Sequence, residues 1–424
     1  MKLITKTKIL ILIIVGILFT FSPIITNWLK FNVEIDDFDS ENNESIILDT
    51  KNLKDSEISG KIHIDGNSEW LDFKNDGHCT GSGTSSDPYV IKNLIIDAEN
   101  SSSCIWIENS TVHFKIENCT LYNAGNFTEQ NYYNVTIVVS FSAGIYLSGV
   151  SHAQIIDNNC SSNCIGIYLN RSNSNIISEN IVNNNNYYGI GLSECDSNLI
   201  SGNTVNSNTF GGIALGFSDY NNIFGNNAFN NSQHGIAITS GEYNSISENT
   251  VNNNTFSGIC LEGSSYNTIS INNVFNNKFG ILISDLLMIP CYYNTILANN
   301  VRNNRKYGIG LDSYCINNDV YRNSFNNSLN AYDNGSGNQW DNGVQGNFWS
   351  DYTGLDEDGD GIGDTPYNIK GTAGSKDYYP LMKCPISVPV NPLEILILIT
   401  IISGGAVISV ATVLFIIRKR KRIS

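Results

Sequence analysis

Residues 189–205 read GIGLSECDSNLISGNTV, and this phrase returns along the chain with a nearly constant period. Its opening Gly-Ile-x-(Leu/Ile) tetrad recurs at eight positions: Gly144, Gly166, Gly189, Gly212, Gly235, Gly258, Gly280 and Gly308. The intervals are 22 or 23 residues, except for the last, which an insertion lengthens to 28. A fixed period of this length is typical of stacked coils.

Apolar residues two apart indicate that the coils are built from strands. Ile190 and Leu192, like Ile213 and Leu215, have the spacing that returns side chains to one face of a strand. The repeats are rich in Asn, Ser, Gly and Ile, which favour turns and strands over helices. Two or three short strands joined by turns fill such a repeat, so the sequence predicts a parallel β-helix rising about 4.8 Å per coil.

Two columns of asparagine recur at the same period. The first contains Asn175, Asn198, Asn221, Asn244, Asn267, Asn294 and Asn318, and the second contains Asn180, Asn203, Asn226, Asn249, Asn272, Asn299 and Asn323. Amides one coil apart can hydrogen-bond to one another along the axis, so we expect structural ladders. The aliphatic residues beside them should stack as the core: Ile177, Ile200, Ile223, Ile246, Ile269, Ile296 and Val320.

With these repeats the chain resembles the NosD-like class of right-handed parallel β-helix proteins, which belong to the pectin-lyase-like group. The resemblance extends from about residue 60 to residue 382, including an entry segment at 81–91 and an exit segment at 347–352. It implies an all-β solenoid of about ten coils. Members of this architecture include polysaccharide lyases, hydrolases, epimerases, adhesins and proteins of copper maturation, so the resemblance specifies the fold more than the chemistry.

Apolar segments at both ends predict a membrane setting. Three lysines precede an apolar run at 9–21, which fits a secretory signal or an uncleaved anchor. A second run at 393–417 is long enough to span a bilayer, and five basic residues follow it at 418–422. By the positive-inside rule the tail at 418–424 is cytoplasmic and the β-helix lies outside. The sequence therefore predicts a signal or anchor at 1–29, an acidic stalk at 30–59, a β-helix at 60–335, a cap at 336–384 and a transmembrane anchor at 393–417.

The net charge of the chain limits the classes of ligand that it can bind. The 424-residue chain carries a formal net charge of −16, which makes nucleic acid an unsuitable ligand. A basic ligand, a divalent cation or a neutral glycan fits better. Ten cysteines could form disulfides in an exported chain, and Cys119 with Cys160 is a candidate pair, although buried free thiols are an equal alternative.

An aspartate-rich segment after the last coil predicts a calcium site. Asp356, Asp358, Asp360 and Asp364, with the carbonyl of Ile362, follow the first nine positions of an EF-hand-type loop. The twelfth position departs from this pattern because Tyr367 stands where a bidentate glutamate belongs, so the site could borrow Asp351. We expect structural calcium that closes the end of the β-helix.

A second set of carboxylates follows successive Gly-Ile strands and could form an acidic strip. Its members are Glu194, Asp219, Glu242, Glu262, Asp285 and Asp312, with Asp196 beside Glu194. Such a strip could bind a glycan, cations or a basic partner, or its members could be solvated turn residues. Glycoside hydrolysis would require two carboxylates converging on one groove, and this set could supply them. A copper site is not expected, because the chain has three Met and five dispersed His.

These features predict a membrane-anchored, extracytoplasmic β-helix at the cell surface with a binding or structural role toward glycans, other envelope polymers or surface proteins. The competing prediction is a carbohydrate-active lyase, hydrolase or epimerase acting along the acidic strip. The two differ in whether substitution of Glu242 or Glu262 abolishes turnover of a polysaccharide.

Overall fold

The computed structural model describes residues 57–58, 60–125, 128–132, 135–140 and 142–385. The predicted apolar segments at 9–21 and 393–417, the basic tail and nearly all of the predicted stalk lie outside these residues. Within the described part of the chain, no helix has both the length and the apolar character needed to cross a bilayer. The fold described below is therefore that of the predicted β-helix and its cap.

The described residues form a right-handed parallel β-helix of about 11 turns, which confirms the predicted fold class and nearly matches the predicted number of coils. Each regular coil contributes one strand to each of three faces, called sheets 1, 2 and 3 in the order in which the chain meets them. Every pairing between successive coils along these faces is parallel. Like residues therefore stack, as Ile167, Ile190 and Ile213 do in adjacent strands of sheet 1.

Sheet 1 holds the Gly-Ile-x-(Leu/Ile) tetrads in 11 strands. Its strands are Ile62–Asp65, Ile105–Glu108, Ala143–Ser148, Ile165–Asn170, Tyr188–Ser193, Gly211–Gly216, Ile236–Thr239, Ser257–Glu262, Phe279–Ser284, Tyr307–Leu311 and Ala331–Asp333. The Ile and Leu of each tetrad point into the core, and the residue between them points outward.

Sheet 2 begins just after the first asparagine ladder and has 10 strands. Its strands are Tyr89–Lys92, Phe114–Glu117, Ala153–Ile156, Ile176–Ser178, Leu199–Ser201, Asn222–Phe224, Ser245–Ser247, Thr268–Ser270, Thr295–Leu297 and Asp319–Tyr321. The central apolar residue of each regular strand is buried. The predicted core column from Ile177 to Val320 is 0% exposed throughout, which confirms it.

Sheet 3 follows the second asparagine ladder and consists of a 3-stranded and an 8-stranded part. Asn159 joins the two parts through isolated bridges to Thr120 and Ile181. The first part contains Glu57–Ile58, Leu94–Asp97 and Thr120–Tyr122. The second contains Ile181–Asn183, Thr204–Asn206, Asn227–Phe229, Thr250–Asn252, Asn273–Phe275, Asn300–Arg302, Ser324–Asn326 and Phe348–Trp349. Coil pairing thus continues to Trp349, beyond the predicted limit at 335.

Three smaller pairs and one helix complete the described elements. Thr128–Tyr132 pairs antiparallel with Val135–Ser140, between Thr120–Tyr122 of sheet 3 and Ala143–Ser148 of sheet 1. Cys291–Tyr292 pairs with Cys315–Ile316, and Tyr367–Asn368 pairs with Lys376–Asp377. The helix Glu69–Asn75 covers the first coil, where the buried Trp70 donates a hydrogen bond from its indole nitrogen to Ser110 Oγ at 2.9 Å.

The two predicted asparagine columns are hydrogen-bonded ladders. Asn221 is representative: its backbone nitrogen and its Nδ2 donate to Asn244 Oδ1 at 2.8 and 3.1 Å. The same Nδ2 donates to the carbonyl oxygen of Cys195 at 2.8 Å. Each amide therefore satisfies its own groups and the backbone of the neighbouring coils, as buried polar groups require.

A third asparagine ladder, absent from the prediction, lies in the turn that leads back to sheet 1. It runs through Asn163, Asn185, Asn208, Asn231, Asn254, Asn277, Asn304 and Asn327. Its bonds repeat those of the first two ladders, with Asn231 donating to Asn254 Oδ1 from both nitrogens at 3.0 Å. All three corners of the coil are thus fixed by amide chains.

Each ladder ends on an aspartate at the C-terminal end of the β-helix. In the first, Asn338 Nδ2 donates to Asp333 Oδ1 at 3.0 Å. In the second, the backbone nitrogen of Asn347 donates to Asp377 Oδ2 at 2.7 Å. The third ends through Asn330, whose Nδ2 donates to Asp351 Oδ1 at 2.7 Å. Burial raises the pKa of the Asp377 carboxyl to about 6, although three hydrogen bonds oppose that shift.

All ten cysteines are free thiols, and nine of them are buried. Of the two sequence alternatives, the structure therefore has buried thiols rather than a bond between Cys119 and Cys160. Burial raises the pKa of Cys119 to about 11 and that of Cys104 to about 12. These thiols are accordingly protonated and pack as small apolar groups.

Candidate functional site

The predicted acidic strip is divided among three positions of the coil. Glu194 and Asp285 stand at the first residue after a strand of sheet 1, whereas Glu262 is the last residue of its strand and Asp312 directly follows a shortened one. Asp219 and Glu242 lie two residues further into the turn between sheets 1 and 2. Only these last two members share one position in adjacent coils.

Asp219 and Glu242 belong to a shorter carboxylate column with Asp196, the neighbour of Glu194. The backbone nitrogen of Asp219 donates to Asp196 Oδ1 at 2.8 Å, and that of Glu242 donates to Asp219 Oδ1 at 2.7 Å. Partial burial raises the pKa of Asp219, opposed by its backbone hydrogen bond and assisted by the charge of Asp196. Burial and the charge of Asp219 raise the pKa of Glu242. The column concentrates negative charge on this turn.

A ladder of four tyrosines runs beside the carboxylate column. Tyr220, Tyr243, Tyr266 and Tyr293 each directly precede an asparagine of the first ladder. Their ring centroids are 5.1, 5.0 and 5.4 Å apart in sequence order, with interplanar angles of 6°, 11° and 23°. Tyr220 and Tyr293 are each 51% exposed and Tyr266 is 39% exposed. The ladder therefore presents ring edges and phenol hydroxyls to solvent.

The backbone of these tyrosines is in the left-handed region, which bulky residues rarely adopt. Their φ values are 57°, 56°, 59° and 51°. Neighbouring coils place Ser197, Asn317 and Gly337 at the equivalent position, with φ of 59°, 57° and 69°. Small or amide residues therefore satisfy the turn, and a tyrosine there costs backbone strain. Stacked and partly exposed aromatic rings in one column can contact a ligand, so the tyrosine ladder is the candidate ligand surface.

The predicted calcium loop brings its first three carboxylates together. Ligand oxygens of Asp356, Asp358 and Asp360 lie within 4.8 Å of one another. Asp364 Oδ2 faces the same loop and accepts a hydrogen bond from the Glu357 nitrogen at 2.7 Å. Asp351 does not join this group; it accepts hydrogen bonds from Asn330 Nδ2 and the Tyr367 hydroxyl instead. Ile362 forms an isolated antiparallel β-bridge with Leu381, and this pairing attaches the loop to the end of the cap.

A second group of metal-ligating side chains lies on the outer face of sheet 1. Ligand atoms of His234, Cys260 and Glu262 are all within 4.8 Å of one another. The sequence did not reveal this group, because His234 lies 26 residues before Cys260 and 28 residues before Glu262, and the three residues form no local motif. Sequence reasoning also missed the tyrosine ladder, whose signal was the Tyr-Asn pair recurring once per coil.

Comparison with known proteins gives one family and a set of solved structures. The family model described as "Periplasmic copper-binding protein (NosD)" matches residues 126–287 and 286–354. No curated protein matches the chain.

The chain is similar to the crystal structure of the periplasmic alginate epimerase AlgG, at 16% identity and a TM-score of 0.41, over 63% of this chain and 80% of that one. It is similar to the Dettilon tailspike protein at 15% identity and a TM-score of 0.42, over 66% of this chain and 60% of that one. The AlgE6 A-module, a mannuronan C-5 epimerase of Azotobacter vinelandii, has 13% identity and a TM-score of 0.40, over 67% and 91% of the two chains. These likenesses concern the fold alone.

Proposed function

The chain belongs to the NosD family, and from this premise we propose that it is an extracytoplasmic binding protein whose β-helix holds an extended polymer along the tyrosine ladder. The observation that carries the proposal is the column of four stacked, partly exposed tyrosines. Serine and asparagine form the same turn in other coils, so the turn itself does not require tyrosine, and contact with a ligand explains it.

The chemistry of this surface favours a neutral, hydroxyl-rich glycan. The phenol hydroxyls repeat once per coil and can donate to and accept from sugar hydroxyls. Carboxylate oxygens of Asp196, Asp219 and Glu242 provide further hydrogen-bond acceptors, at the turn position directly before that of the tyrosines. A polyanionic glycan would meet this column and a chain of net charge −16, so repulsion disfavours it.

The proposal includes a membrane tether for the β-helix. It rests on the apolar run at 393–417, the basic residues that follow it and the basic N-terminus. In this arrangement the β-helix lies outside and the tail at 418–424 lies in the cytoplasm. The tethered β-helix would hold an envelope polymer or another surface glycan near the membrane.

Substitution of the ladder tyrosines by serine is expected to weaken polymer binding without unfolding the protein. Each of Tyr243→Ser and Tyr266→Ser should cost about 1–2 kcal/mol of binding, and the double variant should bind roughly 100-fold more weakly. Serine already occupies this position at Ser174 and Ser197, so melting temperatures should change little. Affinity is measured for the full-length chain against a glycan array and then against neutral polysaccharides in solution.

Tyr314→Ser is the matched control, because Tyr314 is 42% exposed but lies outside the ladder. Equal binding by the control and the ladder variants, or no binding to any glycan, would refute the proposal. Release of reducing ends or unsaturated products by the wild type, abolished in Glu242→Gln, would instead identify a carbohydrate-active enzyme. The raised pKa of both Asp219 and Glu242 is the observation that favours this second candidate.

We also propose that the aspartate-rich loop binds structural calcium. Three carboxylates with oxygens within 4.8 Å of one another repel until a hard cation neutralises them. Millimolar calcium should therefore raise the melting temperature by several degrees, and chelator should reverse the shift. Calorimetry should give one binding event that Asp358→Asn removes and Asp319→Asn, an exposed carboxylate in sheet 2, leaves intact. A flat titration together with an unchanged melting temperature would exclude the site.

A further inference from the structure

The outer face of sheet 1 places an imidazole, a thiol and a carboxylate beside one another. His234 directly precedes the Gly235 tetrad, and the next coil supplies the other two groups from the strand Ser257–Glu262. Cys260 pairs with Ala237 and Glu262 pairs with Thr239, so both side chains point to the same outer face. The three ligand atoms lie within 4.8 Å of one another.

One polar group at this place lacks a partner. Among the described residues, His234 Nδ1 is buried with no hydrogen-bond partner. The ring of His234 packs edge-on against Phe256, with ring centroids 5.2 Å apart. A buried imidazole nitrogen without a hydrogen bond is costly, and a bound ligand would remove that cost.

The surroundings bring the sulfur and the carboxylate together. Cys260 is 0% exposed and lies in an apolar cluster with Phe279, Leu282 and Tyr307. Its thiol donates a long hydrogen bond of 3.9 Å to Glu262 Oε1. A metal would displace the thiol proton to solvent as the sulfur–metal bond forms.

We propose that His234, Cys260 and Glu262 bind one Zn(II) ion. One sulfur, one nitrogen and one oxygen donor suit zinc and do not suit calcium or magnesium, which require oxygen ligands. In a tetrahedral site with bonds of about 2.0–2.3 Å, ligand atoms stand roughly 3.3–3.8 Å apart, so only small side-chain movements are needed. Three protein ligands leave a fourth position open.

Metal titration of the full-length chain without a histidine tag tests the site. Zn(II) is titrated against a chromophoric chelator, and one equivalent should bind. Co(II), used as a spectroscopic substitute for Zn(II), should give a thiolate-to-metal charge-transfer band in the near ultraviolet. Absence of stoichiometric Zn(II) binding would overturn the proposal.

Variants assign the ligands. Cys260→Ser should abolish the charge-transfer band, and Cys260→Ser and His234→Gln should each weaken binding at least 100-fold, whereas Glu262→Gln should weaken it at least ten-fold. Cys195→Ser is the matched control, because Cys195 is also buried but stacks in a column with Ser172 and Ser218. Wild-type affinity in either His234→Gln or Cys260→Ser, with native circular dichroism, would refute the assignment. Should one of these variants fail to fold, the other decides the assignment.

Discussion

Replacing Asn244 by aspartate is expected to lower the free energy of unfolding by about 3–5 kcal/mol, the usual cost of an uncompensated buried charge. Asn244 is 0% exposed. Its Nδ2 donates to Ser218 O at 2.9 Å and to Asn267 Oδ1 at 3.1 Å. A carboxylate would place an oxygen against both acceptors and leave them unsatisfied. Urea denaturation of the variant and the wild type measures the difference.

The matched control is Asn227→Asp, because Asn227 is exposed in sheet 3 and makes only backbone pairings. It should change stability by less than about 0.5 kcal/mol. The Asn244→Asp penalty should shrink as the pH falls. The buried carboxyl has a folded-state pKa above its unfolded value, so the penalty is full above the folded pKa and fades as protonation restores a donor. Equal losses in both variants, at every pH, would contradict the ladder.

Substitution of Gly258 by alanine is expected to cost about 3 kcal/mol, through overpacking of the corner between sheets 3 and 1. A Cβ at this position would lie 2.4 Å from Val274 Cγ1 and 2.8 Å from both Asn277 Nδ2 and Gly280 O. One of these atoms is backbone and another belongs to the third asparagine ladder, so neither can move without breaking coil pairing. Thermal and urea unfolding of the variant measure the loss.

Gly191→Ala provides the contrast. Gly191 stacks in register with Ala214 and Ala237 on the outer face of sheet 1, so the position accepts a methyl group in the next two coils. The nearest atom to its Cβ would be Tyr168 Cδ2 at 3.1 Å, on a side chain that can adjust. We expect a loss below about 1 kcal/mol. A larger loss for Gly191→Ala than for Gly258→Ala would reverse the proposed roles of the two glycines.

The fold was predictable because each structural position repeats as a column in the sequence. Ile200 and Asn198 recur at 23-residue intervals, and parallel pairing converts that interval directly into contact. The third ladder was harder to find. Asn185 lies in a run of asparagines at 183–186 and before residues that vary from coil to coil, so the ladder member does not stand out.

The candidate sites were less predictable because position within a turn decides where a side chain points. Glu242 and Glu262 both follow a Gly-Ile tetrad, yet one joins the carboxylate column and the other faces His234 across sheet 1. A difference of a few residues in their distance from the tetrad therefore places the two carboxylates on different surfaces. The calcium loop is local, so its carboxylates could be grouped from sequence, whereas His234 and Cys260 meet only through the winding of the chain.

The aspartates at the ends of the three asparagine ladders give the β-helix a direction. Along each ladder the backbone nitrogens donate toward the C-terminal coil, so the amide chains end on Asp333, Asp377 and Asp351. A further asparagine coil, or the first coil of a second molecule, would find these last donors already paired inside the protein. Growth into head-to-tail filaments, the hazard of any open solenoid, is thereby opposed at one terminus.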